Sequence, residues 1–280
     1  MGICFYKYRQ LAASENPIEI HPFTLNLIQK GELYFSAPSA FNDPFDGVIE
    51  YSKTIDITAI KSWLTRISAP LEEKQWVLRA CEENAEKLPQ MYASVVQNLQ
   101  QKDFLRIYCL STNPVNILMW AYYAAGHSGL CIGLKAHSFY EGSWGIKVQA
   151  GCLSHSYQLR FSNMLFPVPV NYTSIVPEKY DFGEGKVAAI KESFLNKAIE
   201  WEKEQECRIV LSDDDLIKNP VVIDVNEIEE IVFGLRTSPL LIEQVKDIIS
   251  QNPYKQPGPK LYQCRRIPGT YSLEKVLLPL

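Results

Sequence analysis

At 280 residues the chain is long for one ordinary domain and short for two well-separated ones, which fits an enlarged domain or a core with a helical insertion. Apolar residues make up 46% and charged residues 21%, with Gly 14 and Pro 17, a composition that excludes disordered, collagen-like and low-complexity chains. Lys and Arg total 28 against 32 Asp and Glu, a net charge of -4, which excludes a sequence-independent nucleic-acid coat but leaves room for a local basic groove.

No run of about eighteen apolar residues is present to cross a bilayer, and the opening MGICFYKYRQ lacks the layout of a signal peptide. Tyr6 stands where an N-acylation pattern needs Ser or Thr, and the final LLPL is no prenylation box. A cytoplasmic protein with no membrane partner is expected. The seven cysteines (Cys4, Cys81, Cys109, Cys131, Cys152, Cys207, Cys264) are odd in number, scattered and never spaced as CxxC, which predicts reduced thiols and neither a disulfide nor a structural zinc.

Ile3 to Arg9 alternates aromatics with a basic edge and reads as a short strand. Pro22 to Lys30 follows as a one-faced helix stopped by Gly31. Leu33 to Ser36 reads as a second strand, released by Pro38 into the loop SAFNDPFDG. From about Asp56 to Lys102, Trp76, Cys81, Ala85 and Leu88 recur at helical spacing, as do Met91 or Tyr92, Val95 and Leu99, with Pro89 between them; two or three inserted helices are expected. Phe104 to Ser111 is strand-like, Asn116 to Ala125 helical and Gly129 to Leu134 strand-like again. Gly145 to Ser174, cut by Gly151, Pro167 and Pro169, predicts bent or edge strands.

Lys186 to Lys203 reads as a helix with Val187, Ile190, Phe194, Ala198 and Trp201 on one stripe. At Glu206 to Leu211 the period changes to two, with Cys207, Ile209 and Leu211 on one side and Glu206 and Arg208 on the other. Strands at Val221 to Val225 and Ile228 to Gly234, a helix from Pro239 to Ser250 and a strand near Leu261 to Arg265 complete the chain. There is no internal repeat and no Gly/Ser linker. The order predicts one α+β domain over 1–280, built on a sheet, with the helical insertion at about 56–102 and a C-terminal helix-strand extension at about 236–280.

Four clusters put polar groups where a plain core would put aliphatics. In YKYR, period two sets Lys7 with Arg9 and Tyr6 with Tyr8, so cations lie beside rings, as suits a phosphate-bearing nucleotide or a solvated edge strand. In LYFSAPSAFNDPFD, Ser36 offers a hydroxyl, Tyr34, Phe41 and Phe45 offer rings, and Asn42, Asp43 and Asp46 offer acceptors; Asx residues before Pro also form ordinary turns, and no EF-hand spacing is present. The stretch from Met119 to Leu134 carries Trp120, Tyr123 and His127, which serve either core packing or a ligand, and no histidine has a zinc-hydrolase spacing. In WEKEQECRIV, Glu204, Glu206 and Arg208 share one face if the strand begins near Glu204, and the guanidinium would keep Glu206 ionised.

Together these segments resemble a bacterial family known as a domain of unknown function, with a YKYR-like start (Tyr6 to Arg9), P-x-x-FNDPFD (Pro38 to Asp46), MW-x-x-YA followed by H-x-G (Met119 to Gly129), W-x-x-E-x-E-x-R (Trp201 to Arg208) and I-x-x-I-x-x-G (Ile228 to Gly234). The layout is also similar to the ADP-ribosyltransferase fold, a split β-sheet core, particularly its nucleic-acid-modifying branch. That resemblance implies NAD as substrate. Tyr8 with Lys7 or Arg9 would hold it, Tyr34 and Ser36 would line the nicotinamide pocket, and Glu206 would be catalytic, with Glu204 orienting the acceptor or taking its proton. Asn42, Trp120 and His127 would be further contacts to the cofactor. This chain departs from the toxin pattern in lacking an unambiguous Arg or His at the first position.

The implied activity is an NAD-dependent ADP-ribosyltransferase acting on a macromolecule, nucleic acid or protein, as a bacterial toxin or anti-phage effector with an antitoxin partner. Cleaving the nicotinamide-ribose bond passes through an oxocarbenium-like state, and the leaving group departs neutral, so one carboxylate suffices. No glycine-rich dinucleotide fingerprint is present, which disfavours a Rossmann-type dehydrogenase. Two other expectations stand beside this one. Asp43, Asp46, Glu204 and Glu206 could gather a magnesium ion for phosphodiester cleavage, or the clusters could cap turns in a non-catalytic binding module.

Overall fold

The computed structural model describes residues 3–13, 16–48, 57–66, 69–88, 90, 104–140, 142–176, 191–251, 254 and 258–279. In chain order the elements are β1 (Cys4–Arg9), α1 (Pro22–Lys30), β2 (Glu32–Leu33), α2 (Ile57–Arg66), α3 (Leu71–Glu83), β3 (Leu105–Ser111), α4 (Ile117–Tyr123), β4 (Leu130–Lys135), β5 (His137–Tyr140) and β6 (Ser143–Lys147). There follow α5 (His155–Phe161), β7 (Met164–Leu165), β8 (Val168–Pro169), β9 (Asn171–Thr173), β10 (Asn196–Ala198), β11 (Glu206–Ser212), β12 (Val221–Val222), β13 (Ile228–Phe233), α6 (Pro239–Gln251), β14 (Lys260–Arg266) and β15 (Leu273–Leu277). The chain is a mixed α+β protein that divides into two compact units. One comprises Met1–Phe35, Ile107–Val170 and Trp201–Leu280; the other comprises Ser36–Arg106 and Asn171–Glu200. Among the described residues no helix is long and apolar enough to cross a membrane.

The first unit is organised by an eight-stranded mixed sheet in the order β15-β14-β13-β4-β1-β3-β11-β8. β13 and β14 run parallel, whereas β1 runs antiparallel to both neighbours. β4 reads LCIGLK and is covered on both faces, as a central strand with an almost continuous apolar run should be. On one face Phe5, Tyr108, Leu110, Leu130, Ile132, Cys207 and Ile209 pack with Leu27 and Ile28 of α1 and Leu241 and Val245 of α6. On the other, Tyr6, Tyr8, Cys131 and Val232 pack with Met119 and Trp120 of α4. The sheet is not joined evenly. β1 pairs with β4 along its whole length, from Cys4 opposite Lys135 to Arg9 opposite Leu130, but its register with β3 is a single pair, Tyr6 opposite Ser111.

Several elements differ from the sequence expectation. The strand expected over Leu33 to Ser36 is only Glu32–Leu33, paired with β12. Beyond it the Asn219 side chain takes the place of a strand, accepting from the Phe35 N–H at 3.0 Å and donating to its carbonyl at 2.8 Å. α1 ends at Gly31 as expected, with φ 70, and a Cβ there would meet the Ile223 carbonyl oxygen at 2.2 Å. Within Gly145 to Ser174 the chain forms α5 as well as short strands, β8 being the sheet edge where Pro169 lacks nothing by lacking an N–H. The strand expected to Val225 stops at Val222, and β15 lies beyond the last expected strand.

The second unit holds α2 and α3, bridged by Lys61 and Glu82 at 3.6 Å, together with the parallel pair β9 and β10. The expected stripe on α3 is not a buried one: Trp76 is 71% exposed and no residue of that helix is buried. Met91, Tyr92, Val95 and Leu99 lie outside the described residues, as do Val187 and Ile190. The helix expected over Lys186 to Lys203 is corrected: residues 191–193 are helical, but Asn196–Ala198 forms β10 against Asn171–Thr173, and Ile199–Glu204 is a 3-10 turn. Backbone pairing across the unit overrides the local helical stripe, and Phe194 packs edge-on against Phe41 instead.

Candidate functional site

The E-x-E segment sits at a sharp junction. The 3-10 turn Ile199–Glu204 ends, Gln205 takes the left-handed conformation with φ 50, and β11 opens at Glu206. A non-glycine residue held there carries strain that its surroundings must impose. The Gln205 carbonyl accepts from the Thr112 N–H at 3.2 Å, and its side-chain oxygen accepts from Asn113 at 3.0 Å. Glu204 therefore does not share a strand face with Glu206 and Arg208. Its carboxylate is buried and accepts from the Tyr123 hydroxyl at 3.0 Å, while its carbonyl accepts from the Ser111 hydroxyl at 3.0 Å. Asn116, the N-cap of α4, donates to the neighbouring Lys203 carbonyl.

Glu206 and Arg208 form a two-pronged ion pair, Nε to Oε1 at 2.8 Å and Nη2 to Oε2 at 2.9 Å. Their side chains are only 4% and 1% exposed. The bidentate geometry fixes the position of the carboxylate and keeps it ionised. The Cys109 thiol lies beside it, and burial first, then Glu206, raise that thiol's pKa, which removes Cys109 as a nucleophile at neutral pH.

Lys7 lies where β1 and β3 part. Its ammonium donates to the Cys109 carbonyl at 2.8 Å and rides 4.5 Å above the centre of the Tyr108 ring. Burial and the Arg9 charge push its pKa from the ordinary 10.5 down to about 8, while Cys109 and Glu206 pull the other way. Holding this charge works against folding below about pH 8, and the penalty lifts as pH rises from there towards 10.5, because the unfolded chain then binds the proton more tightly.

Beside Lys7, Arg9 adjoins the Tyr108 hydroxyl and acts electrostatically on His21. Arg9 Nε, the Tyr108 hydroxyl and His21 Nδ1 are all buried and lack a hydrogen-bond partner. Tyr108 is 1% exposed, and burial raises its pKa while Arg9 lowers it. Burial and the Arg9 charge lower the pKa of His21. His21 is also the N-cap of α1, and its side chain makes no cap bond, so the positive end of that helix faces the same group. The His21 ring leans on Phe23 at 5.6 Å between centres, and Phe23 stacks on Tyr34 at 5.0 Å, the two outer rings being 46% and 42% exposed. These are three buried cationic or polar groups with unmet bonds, beside a pair of stacked, partly exposed rings, the types of group that an anion attached to a planar ring would pair with. Binding of inorganic pyrophosphate to this group is expected to be strongest below pH 8 and to weaken as pH rises through it, as Lys7 loses its proton. In Lys7→Arg the profile should flatten over that range, since a guanidinium stays charged. Calorimetry across the pH series checks this, and a flat wild-type profile would remove Lys7 from the site.

The structure thus brings Lys7 and Arg9 together on the face of Tyr108, with Tyr34 joined to His21 through Phe23; Glu206 and Arg208 point to the opposite face of the sheet, where Glu206 is still within electrostatic reach of Lys7. It separates Tyr8, Trp120 and His127 from them. Tyr8 points to the opposite face, where its ring meets Trp120 edge-on at 5.1 Å and its hydroxyl donates to the Asn113 carbonyl at 2.6 Å; His127 stacks on the same tryptophan at 6.3 Å. Ser36 and the exposed Asn42 belong to the second unit, where Asp43 caps its own turn by accepting from the Phe45 N–H at 2.9 Å. Among the described residues no group of three or more His, Cys, Asp or Glu side chains could hold a metal ion.

No family model, curated protein or solved structure matches the chain. Sequence reading missed His21, Phe23 and Tyr108; the one available signal was a histidine directly before the proline that starts a helix, a place where Ser, Thr or Asp would ordinarily stand.

Proposed function

We propose that the chain is an NAD-dependent ADP-ribosyltransferase with an ADP-ribosyltransferase-like split sheet, a member of the bacterial family that its motifs resemble. The observation that carries this reading is the pairing of two features at the part between β1 and β3. A buried carboxylate opens β11 on one face of the sheet, within electrostatic reach of Lys7, and on the other face Lys7 stands beside Arg9 Nε, the Tyr108 hydroxyl and His21 Nδ1, which have no hydrogen-bond partner. The donor group fits a pyrophosphate, and the Phe23 and Tyr34 rings fit a base stacked beside it.

In the reaction, the bond between the ribose C1′ and the nicotinamide nitrogen breaks and its electron pair leaves with neutral nicotinamide. Glu206, accepting from the ribose 2′-hydroxyl, stabilises the positive charge that develops on the sugar, an interaction stronger in the transition state than before it. The acceptor atom then bonds to C1′ and gives up its proton, the role that the resemblance assigns to Glu204, whose carboxylate is held by Tyr123. Arg208 and Tyr123 hold the two carboxylates in place. The acceptor is a macromolecule, nucleic acid or protein, and the protein acts in the cytoplasm as a toxin or anti-phage effector restrained by an antitoxin partner.

Incubation of the purified chain with NAD labelled in the adenylate and a cell lysate is expected to put label into an RNA, DNA or protein fraction, unaffected by EDTA. Intact NAD with no labelled fraction would end the proposal. Metal-dependent loss of nucleic acid without NAD would put a nuclease in its place.

A further inference from the structure

On the other face of the sheet, at the end of α4, the chain reverses through Ala125, Gly126 and His127, all at positive φ (48, 60 and 70). Two non-glycine residues are thereby held in a conformation that L side chains rarely adopt. The surroundings hold the reversal: the His127 N–H donates to the Trp120 carbonyl at 3.1 Å, and its carbonyl accepts from the Arg236 N–H at 2.9 Å. The imidazole lies nearly parallel to Trp120, at 15°, and its Nδ1 is buried without a hydrogen-bond partner.

His127 borders a cavity of about 300 Å³ closed on its far side by the turn between β14 and β15. Arg266, Thr270 and Ser272 supply its polar wall, and Leu235 and Leu273 supply an apolar one; no carboxylate lines it. Arg236 adds a second positive charge near the imidazole, and burial, then that charge, lower the His127 pKa. Neither Arg236 nor Arg266 pairs with a carboxylate among the described residues. An electropositive hollow with the imidazole at its border, a guanidinium that has no carboxylate partner among the described residues and an apolar wall has the size and mixed lining of a small-ligand site, at the lower end of roughly 300–1,000 Å³.

We propose that this cavity binds a small organic anion, its oxyanion head held by Arg266 and His127 and its apolar body lying against Leu235 and Leu273. The head is a carboxylate or a phosphate monoester, the two oxyanions that a guanidinium fork recognises. The cavity is separate from the group around Lys7 and Arg9. Arg9 faces Tyr108 on one side of the sheet, whereas Tyr8, Trp120 and His127 lie on the other.

Titration calorimetry of the full chain with benzoate, phenyl phosphate and uncharged benzamide tests it. At least one of the two anions is expected to bind and benzamide not to, and the stronger anion identifies the head group. Arg266→Ala, at an exposed position, should weaken binding roughly tenfold or more, the loss of one charge-assisted hydrogen bond, without changing the melting temperature or NAD consumption. Ser272→Trp, which fills the cavity from its rim, should abolish it. Binding of neither anion, or equal binding by wild type and Arg266→Ala, would overturn the proposal.

Discussion

Arg208→Met is expected to lower the unfolding free energy of the first unit by about 3–5 kcal/mol, among the largest losses available to a single substitution here. Methionine fills much of the same volume, so the effect is not one of packing. It comes from Glu206, which would be left 4% exposed without the guanidinium that holds both its oxygens. The carboxylate must then either stay ionised in a poorly solvated place or take up a proton, and each alternative raises the energy of the folded state. The double substitution Glu206→Gln with Arg208→Met removes both charges and should recover a substantial part of the loss, because most of the penalty belongs to the stranded partner and not to the pair. Urea unfolding of the four proteins measures the cycle. A single variant within about 1 kcal/mol of wild type would mean that other groups compensate Glu206, contrary to a coupled pair.

Under the proposed function, Glu206→Asp should reduce ADP-ribosyl transfer by roughly 10²–10³-fold while leaving the fold almost unchanged. Aspartate keeps the charge, so Arg208 remains paired, but it withdraws the carboxylate by one methylene from any sugar bound at the part in the sheet. An interaction that matters through its position in the transition state is sensitive to such a shift, whereas a structural ion pair tolerates it. Single-turnover assays under saturating NAD, alongside thermal melting, separate the two roles. A rate within tenfold of wild type in a protein of normal stability would make Glu206 a structural residue only.

Much of the sheet was legible because its strands have a clear period. β1, β3, β4, β11 and β13 all alternate or run apolar in the string itself, and α1 and α6 show one apolar face. The misreadings have physical sources. α5 is rich in Tyr and Phe and so looks like a strand, yet Ser154 caps it by accepting from the Tyr157 N–H at 3.4 Å, a signal that favoured a helix. β10 is a strand only because Asn171–Thr173 lies alongside it, and no local pattern encodes that neighbour. The same holds for the candidate site. Lys7 with Arg9 follows from period two, but the approach of His21 and Tyr108 to them depends on how the loop after β1 folds back, through the Ala12–Ile20 bridge and the His21 N–H bond to the Leu11 carbonyl at 2.7 Å. Trp120 and His127 lie with Tyr8 on the face away from Lys7 and Arg9, a placement that the motif could not encode, because it gives order along the chain and says nothing about which side of a sheet each residue reaches.

The solitary Tyr6–Ser111 rung gives the eight strands a built-in seam. Elsewhere, inserting a molecule between neighbours would mean unzipping a row of amide bonds, at a cost close to that of unfolding the layer. Here the row is already absent, and a lysine side chain, far easier to displace than a backbone, spans the gap in its stead. An elongated guest could wedge into this crack by exchanging one ammonium contact, with the strands on either flank keeping their own partners.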